Sequence, residues 1–174
     1  PLFRRIRRYG GRGMNLKYLY EIQAGLMAHI EKNHPTPPGE SRLDKKVLAT
    51  LVELGEGCND SRCFKFWSLD QKPKETLLEE TVDFLHFLLE LGIEFGYRMD
   101  TVEFTASKDN LVQQYLELYK NVLEFYETKD FVEYEDLFET FLGLCEMLGF
   151  PWEEVEKAYL AKNSENHNRQ LNSY

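Results

Sequence analysis

Long apolar runs, cysteines and strand-like alternation are all scarce in this chain of 174 residues. No stretch approaches the roughly 18–20 consecutive apolar residues that a membrane span needs. The three cysteines (Cys58, Cys63 and Cys145) form no zinc pattern, and an odd count without an export signal predicts free thiols in a reducing cytoplasm. Disorder is excluded because 43% of the residues are apolar and 14% are aromatic. A chain of this length and composition can bury the core of one domain.

Basic residues are outnumbered, with 21 Lys and Arg against 30 Asp and Glu and a net charge of −9. Residues 1–13 hold five Arg and no acid, so 16 basic residues face 30 acidic ones from Met14 onward, a balance of −14. We expect residues 1–13 to be a leader of cloning origin or misassigned upstream sequence, with a genuine basic arm as the alternative. Residues 14–174 should form the domain. Its acidity disfavours a nucleic-acid polymer but not a small phosphate ligand that metal ions bridge.

Apolar residues recur at helical spacing along almost the whole chain. The predicted helices run from about Leu16 to Ile30, Leu43 to Gly57, Lys74 to Tyr97, Asn110 to Thr128, Tyr134 to Leu148 and Trp152 to Asn163. The third is apolar nearly all round, so it should be central or lie at an interface. The second should bury a stripe of Val47, Leu48, Leu51 and Leu54. The predicted class is all-α, a bundle of about five or six helices.

Two acidic pairs could carry metal chemistry. Glu53 and Glu56 (ELGE) lie three residues apart on the second helix, and Glu80 and Asp83 (EETVD) have the same spacing on the third. Two such helices packed face to face would aim four carboxylates at one point, and hard cations such as Mg²⁺ prefer oxygen ligands. A solvated helix edge is the alternative, although Glu80 and Asp83 share a face with apolar residues and therefore need partners.

A polar C-terminal segment offers cationic and amide donors at helical spacing. Lys162, Asn166 and Arg169 could line one side of an anionic ligand, although a frayed tail has the same composition. Elsewhere, the aromatic cluster at Trp67, with Lys65 beside it, could stack on a planar base or belong to the core.

The order of these motifs, ELGE, FKFWS, LLEETVDFLHF and YLAKNSENHNRQLNSY, resembles the all-α, dimeric-type dUTP pyrophosphatases. These belong to the wider MazG-like nucleoside triphosphate pyrophosphohydrolases. The resemblance spans about Leu19 to Tyr174. The acidic pattern indicates the superfamily and the tail indicates the dUTPase branch, although the family's final Gly-Tyr is Ser173-Tyr174 here.

The resemblance implies a homodimer that hydrolyses dUTP, with dUDP as a further candidate, to dUMP and pyrophosphate in nucleotide-pool sanitation. It implies two or more Mg²⁺ ions held by Glu53, Glu56, Glu80 and Asp83, with Glu53 or Glu56 as general base. The phosphate-binding residues that it implies are Lys65, Lys162, Asn166, Arg169 and Tyr174. The base-binding residues that it implies are Gln23, Trp67, His86 and Phe87.

Two other functions stay open. The chain could be a MazG-like enzyme for another nucleotide such as dCTP, because the amide of Gln23 can present either a donor or an acceptor. It could also be a non-enzymatic helical interaction protein, which the apolar third helix would suit. The apolar surface of that helix also favours a homodimer.

Overall fold

The computed structural model describes residues 6–7, 15–102, 104–105 and 108–172. The helices within these residues are α1 (Leu16–Asn33), α2 (Leu43–Ser61), α3 (Leu77–Phe95), α4 (Leu111–Thr128), α5 (Phe131–Leu148) and α6 (Trp152–Leu171). Two short strands, β1 (Ile6–Arg7) and β2 (Phe104–Thr105), pair antiparallel. The predicted all-α bundle is confirmed, and strands of two residues are too short to show alternation in the sequence.

The helix ends follow local capping signals. Asn15 and Asn110 accept hydrogen bonds from backbone amides in the first turns of α1 and α4. Gly96 and Gly149 end α3 and α5 at φ of +74° and +76°, the left-handed region that glycine adopts without strain. The largest departure is α6, which continues to Leu171 instead of ending near Asn163. The C-terminal segment is therefore helical through Leu171 and not a frayed tail.

Helix α3 lies at the centre of the bundle, where it packs against α1, α2, α5 and α6. Val82, Leu85, Leu88 and Leu89 on this helix are completely buried. The predicted central position is confirmed. The helix has no surplus apolar surface, because its neighbours in the same chain cover it, so the apolar character of α3 no longer supports a homodimer.

The exposed apolar side chains lie elsewhere, on the other five helices and in the loop before α3. Leu48 is 63% exposed, so its predicted place in the buried stripe of α2 is wrong. Val47 and Leu54 are buried as predicted, and α2 also turns Thr50 and Gly57 inward. Since α2 packs chiefly on α3, a small residue at Gly57 permits the close approach that brings the acidic residues of the two helices together.

None of the six described helices has both the length and the apolarity of a membrane span.

Candidate active site

Three carboxylates from α2 and α3 converge. One oxygen from each of Glu53, Glu80 and Asp83 lies within 4.8 Å of the others. The close helix approach at Gly57 supports this convergence, since a Cβ added there would lie 3.9 Å from Glu80. The donor set consists only of carboxylate oxygens, which fits a hard cation such as Mg²⁺.

Glu56 adjoins this triad without being a member of it. It is exposed and hydrogen-bonds to Glu80. With Glu80, Asp60, Lys74 and other residues it lines a separate pocket of about 410 Å³. The structure thus brings three of the four predicted metal ligands into one cluster and leaves the fourth at its outer edge.

Burial and mutual repulsion raise the pKa values of the three carboxylates in the triad. Burial, followed by the charges of Asp83 and Glu56, raises the pKa of Glu53 to about 7. Burial, followed by the charge of Asp83, raises the pKa of Glu80 to about 7. Burial also raises the pKa of Asp83, although Lys162 opposes this shift. A bound cation would favour the ionised carboxylates and reverse these shifts.

Lys162 is the one basic side chain that contacts the triad directly among the described residues. Its Nζ lies 2.8 Å from Oδ2 of Asp83 and 2.6 Å from Oε1 of Glu79, and its side chain is 9% exposed. Burial alone would lower the pKa of Lys162, but its hydrogen bonds to Asp83 and Glu79 raise it. Lys162 was predicted to bind phosphate, which stays a prediction, and Glu79 was not among the predicted site residues. The only available signal for Glu79 was its position one helical turn before Asp83.

A cavity of about 920 Å³ extends from the triad between α1, α2, α3 and α6. It follows α3 from Asp83 to Glu94, a rise of about 16 Å along the helix axis. Apolar side chains line part of it, among them Leu26, Met27 and Phe87. The predicted site residues that line the cavity are Gln23, Glu53, Asp83, His86, Phe87, Lys162, Asn166 and Arg169.

An uncharged cluster, formed by Gln23, His86 and Tyr159, lies one turn along α3 from Asp83. Oε1 of Gln23 lies 2.8 Å from Nδ1 of His86 and 2.8 Å from the hydroxyl of Tyr159. The rings of His86 and Tyr159 stack with centroids 4.2 Å apart. All three residues are at most 5% exposed. Burial, assisted by the charge of Lys162, lowers the pKa of His86 to about 3, so the imidazole is neutral.

Tyr159 was missed as a site residue, although it begins the polar C-terminal pattern. Nothing in its local spacing indicates that its hydroxyl reaches a glutamine 136 residues earlier in the chain.

Two predicted residues lie apart from the cavity. Lys65 and Trp67 belong to the loop between α2 and α3, and neither is among the residues that line the cavity. Trp67 is 63% exposed and packs edge-on against Phe64 and Phe66. Tyr174 lies outside the described residues, so its predicted contact with phosphate stays a prediction, as do the roles of Lys65 and Trp67.

Comparison with protein families connects this geometry with an activity. A family model described as dUTPase matches residues 15–174. The chain belongs to the dUTPase family. Membership confirms the resemblance and indicates dUTP diphosphatase activity, with a nucleotide as substrate. Comparison with curated proteins gives no match.

The cavity suits the two parts of a dUTPase substrate. Its charged part, with Glu53, Asp83 and Lys162, can face a triphosphate that carries cations. Its apolar wall and the amide of Gln23 can face a planar pyrimidine. The cavity, at about 920 Å³, is large enough for a whole nucleotide.

Proposed function

We propose that this dUTPase-family chain hydrolyses dUTP to dUMP and pyrophosphate in a Mg²⁺-dependent reaction, within a single domain at residues 14–174. The observation that supports this most is the convergence of Glu53, Glu80 and Asp83 at the edge of the large cavity. These residues, with Glu56 beside them, would hold two or more Mg²⁺ ions. When bound, Mg²⁺ neutralises charge on the triphosphate and polarises the phosphorus under attack.

Helix α6 supplies the donors for the phosphate oxygens. Lys162, Asn166 and Arg169 follow one another at intervals of four and three residues, so they share one helix face, and all three line the cavity. Because Lys162 already contacts Asp83, a triphosphate drawn to the triad comes within reach of its ammonium group. Charge-assisted hydrogen bonds from Lys162 and Arg169 would stabilise the negative charge that moves onto the leaving pyrophosphate.

Glu53 is the general base that we favour over Glu56. Glu53 lines the large cavity, whereas Glu56 lines the smaller pocket on the other side of the cluster.

The base would lie against Phe87 and Gln23, with His86 behind the amide. This part of the cavity carries apolar side chains and an amide, which suits a pyrimidine ring better than phosphate.

We also propose a cytoplasmic homodimer. Support for the dimer comes from exposed apolar side chains on α2 and α4, namely Leu48, Val52, Leu116 and Leu123. None of the three cysteines forms a disulfide, as expected in a reducing compartment. Light scattering at the mass of one chain would contradict the dimer.

A nucleotide panel tests the activity. The purified chain is incubated with dUTP, dCTP, dTTP and UTP, with Mg²⁺ or with excess chelator, and pyrophosphate and phosphate are measured separately. We expect dUTP to be consumed only with Mg²⁺ and to release pyrophosphate. Release of phosphate in its place, or no turnover of dUTP with Mg²⁺, would contradict the proposal.

A further inference from the structure

Two partners on different helices hold the amide of Gln23 in one orientation. Its Oε1 lies 2.8 Å from both the Tyr159 hydroxyl on α6 and Nδ1 of His86 on α3. A carbonyl oxygen only accepts hydrogen bonds, so the phenol donates to it and the imidazole carries its proton on Nδ1. Turning the amide over would set its N–H groups against two buried donors, unless both partners reversed their roles together.

The two donors act as one unit. The His86 ring stacks on the Tyr159 ring at 4.2 Å and 26°, and both residues are buried. A movement of one ring would therefore displace the other, so neither side chain moves independently when a ligand enters the cavity.

The orientation determines which group Gln23 offers to a ligand. Gln23 lines the cavity, and with Oε1 engaged by its two partners the amide presents Nε2 and its N–H donors. Uracil and cytosine differ in this respect, because uracil carries a carbonyl acceptor at the position where cytosine carries an amino donor. An N–H donor of Gln23 can hydrogen-bond to the uracil carbonyl. With cytosine in the same position, that donor would face the amino group, which is also a donor.

We propose that Tyr159 and His86 are positioning residues that set the base selectivity of the cavity, because together they make Gln23 present an N–H donor that selects a uracil carbonyl over the amino group of cytosine. This inference deepens the proposed function and rests on the placement of the base beside Gln23.

The test measures the selectivity ratio, kcat/KM for dUTP divided by kcat/KM for dCTP. Tyr159→Phe keeps the stacked ring and removes one donor, so we expect the ratio to fall about 10-fold, chiefly through a higher KM for dUTP. His86→Leu removes the other donor and should lower the ratio similarly. His86→Asn keeps an N–H close to the position of Nδ1 and should restore much of the ratio.

Gln23→Glu gives the strongest test. It replaces the N–H donors with a second acceptor oxygen while Tyr159 and His86 still bind the first. We expect the preference to shift from dUTP towards dCTP, whose amino group can donate to that oxygen. Tyr97→Phe is the matched control, because it also removes one hydroxyl, which donates to the carbonyl of Lys129 away from the cavity. Its ratio should equal that of the unaltered chain.

A general loss of folded or active protein cancels in the ratio, so a purely structural role for Tyr159 would leave it unchanged. Unchanged ratios in Tyr159→Phe and His86→Leu, or a preference of the unaltered chain for dCTP, would overturn the inference. Equilibrium binding of dUMP and dCMP gives the same ratio without turnover. The inference can therefore be judged even if Mg²⁺-dependent hydrolysis, and with it the proposed function, fails.

Discussion

Two polar clusters lie one turn apart on α3 and differ in how their groups are satisfied. Around Asp83, three carboxylates with raised pKa values lie close together, and one lysine, Lys162, contacts Asp83. Around His86, two hydrogen bonds of 2.8 Å join three neutral side chains, and Nε2 of His86 is buried without a partner among the described residues. A bound cation would stabilise the first cluster, whereas the side chains of the second are already in place before any ligand binds. A cluster that would hold a metal thus needs uncompensated negative charge, whereas a cluster that orients an amide needs neutral side chains that hydrogen-bond to one another.

The largest expected effect comes from removing a charge in the acidic cluster. Glu80→Gln keeps the shape of the side chain but removes one anionic ligand, so we expect kcat to fall about 1000-fold at saturating Mg²⁺. Steady-state pyrophosphate release measures it, and circular dichroism should show unchanged helicity. Glu127→Gln, an exposed acid on α4, is the control and should keep full activity. Equal activity in the two variants would exclude Glu80 from the metal site.

The next effect concerns the lysine of the acidic cluster. Lys162→Met leaves Asp83 and Glu79 without their counter-charge, so we expect the free energy of unfolding to fall by about 1–3 kcal/mol without metal. Added Mg²⁺ should recover part of this loss, which urea titration with and without Mg²⁺ would show. The matched control is Lys120→Met, because Lys120 forms exposed ion pairs on α4. Its change should stay below about 0.5 kcal/mol.

The pH dependence of stability separates the two clusters. The folded-state pKa values of Glu53 and Glu80 are about 7, above the usual 4.5, so the folded chain holds more protons between these values. Their contribution to the free energy of unfolding is therefore fully present below about pH 4.5 and is lost as the pH rises towards 7. Urea titrations at pH 5 and pH 8 should show a smaller decline in Glu53→Gln than in the unaltered chain. A decline of equal size would show that Glu53 is ionised at the lower pH.

The smallest effect belongs to the neutral cluster. Tyr159→Phe removes one hydrogen bond to Gln23, so we expect a loss of about 1 kcal/mol in the free energy of unfolding. The loss should be the same at pH 5 and pH 8 and should not respond to Mg²⁺, because none of the three side chains changes charge in that range. A loss that varied with pH would mean that the neutral cluster is coupled to the acidic one.

Periodicity predicted the six helices well, because each helix has an apolar face that the bundle buries. The predicted start of α2 at Leu43 and end of α5 at Leu148 agree with the structure. The inward face of α2 was predicted less well. Leu48 was placed inside on hydrophobicity alone, whereas it lies on the face of α2 opposite Gly57, which meets α3, and is 63% exposed.

The acidic residues that we propose as metal ligands could be singled out from the sequence because each pair is local. Spacing of three residues places Glu80 and Asp83 on one face of α3 in any helix, and the same holds for Glu53 and Glu56 on α2. Spacing within a helix cannot reveal which of these side chains faces the other helix. Packing assigns Glu53 to the triad and leaves Glu56 at its edge.

Local sequence was enough for the helices, the acidic pairs and the polar face of α6, because helix geometry relates residues three or four apart without reference to the rest of the chain. Contacts between helices could not be predicted from local sequence, because they depend on how the helices pack. The approach of Lys162 to Asp83, the exposed position of Trp67 and the meeting of Gln23, His86 and Tyr159 each depend on how distant segments pack. No spacing rule encodes such contacts, since they arise when the bundle buries its apolar faces and most of the polar groups buried with them find partners.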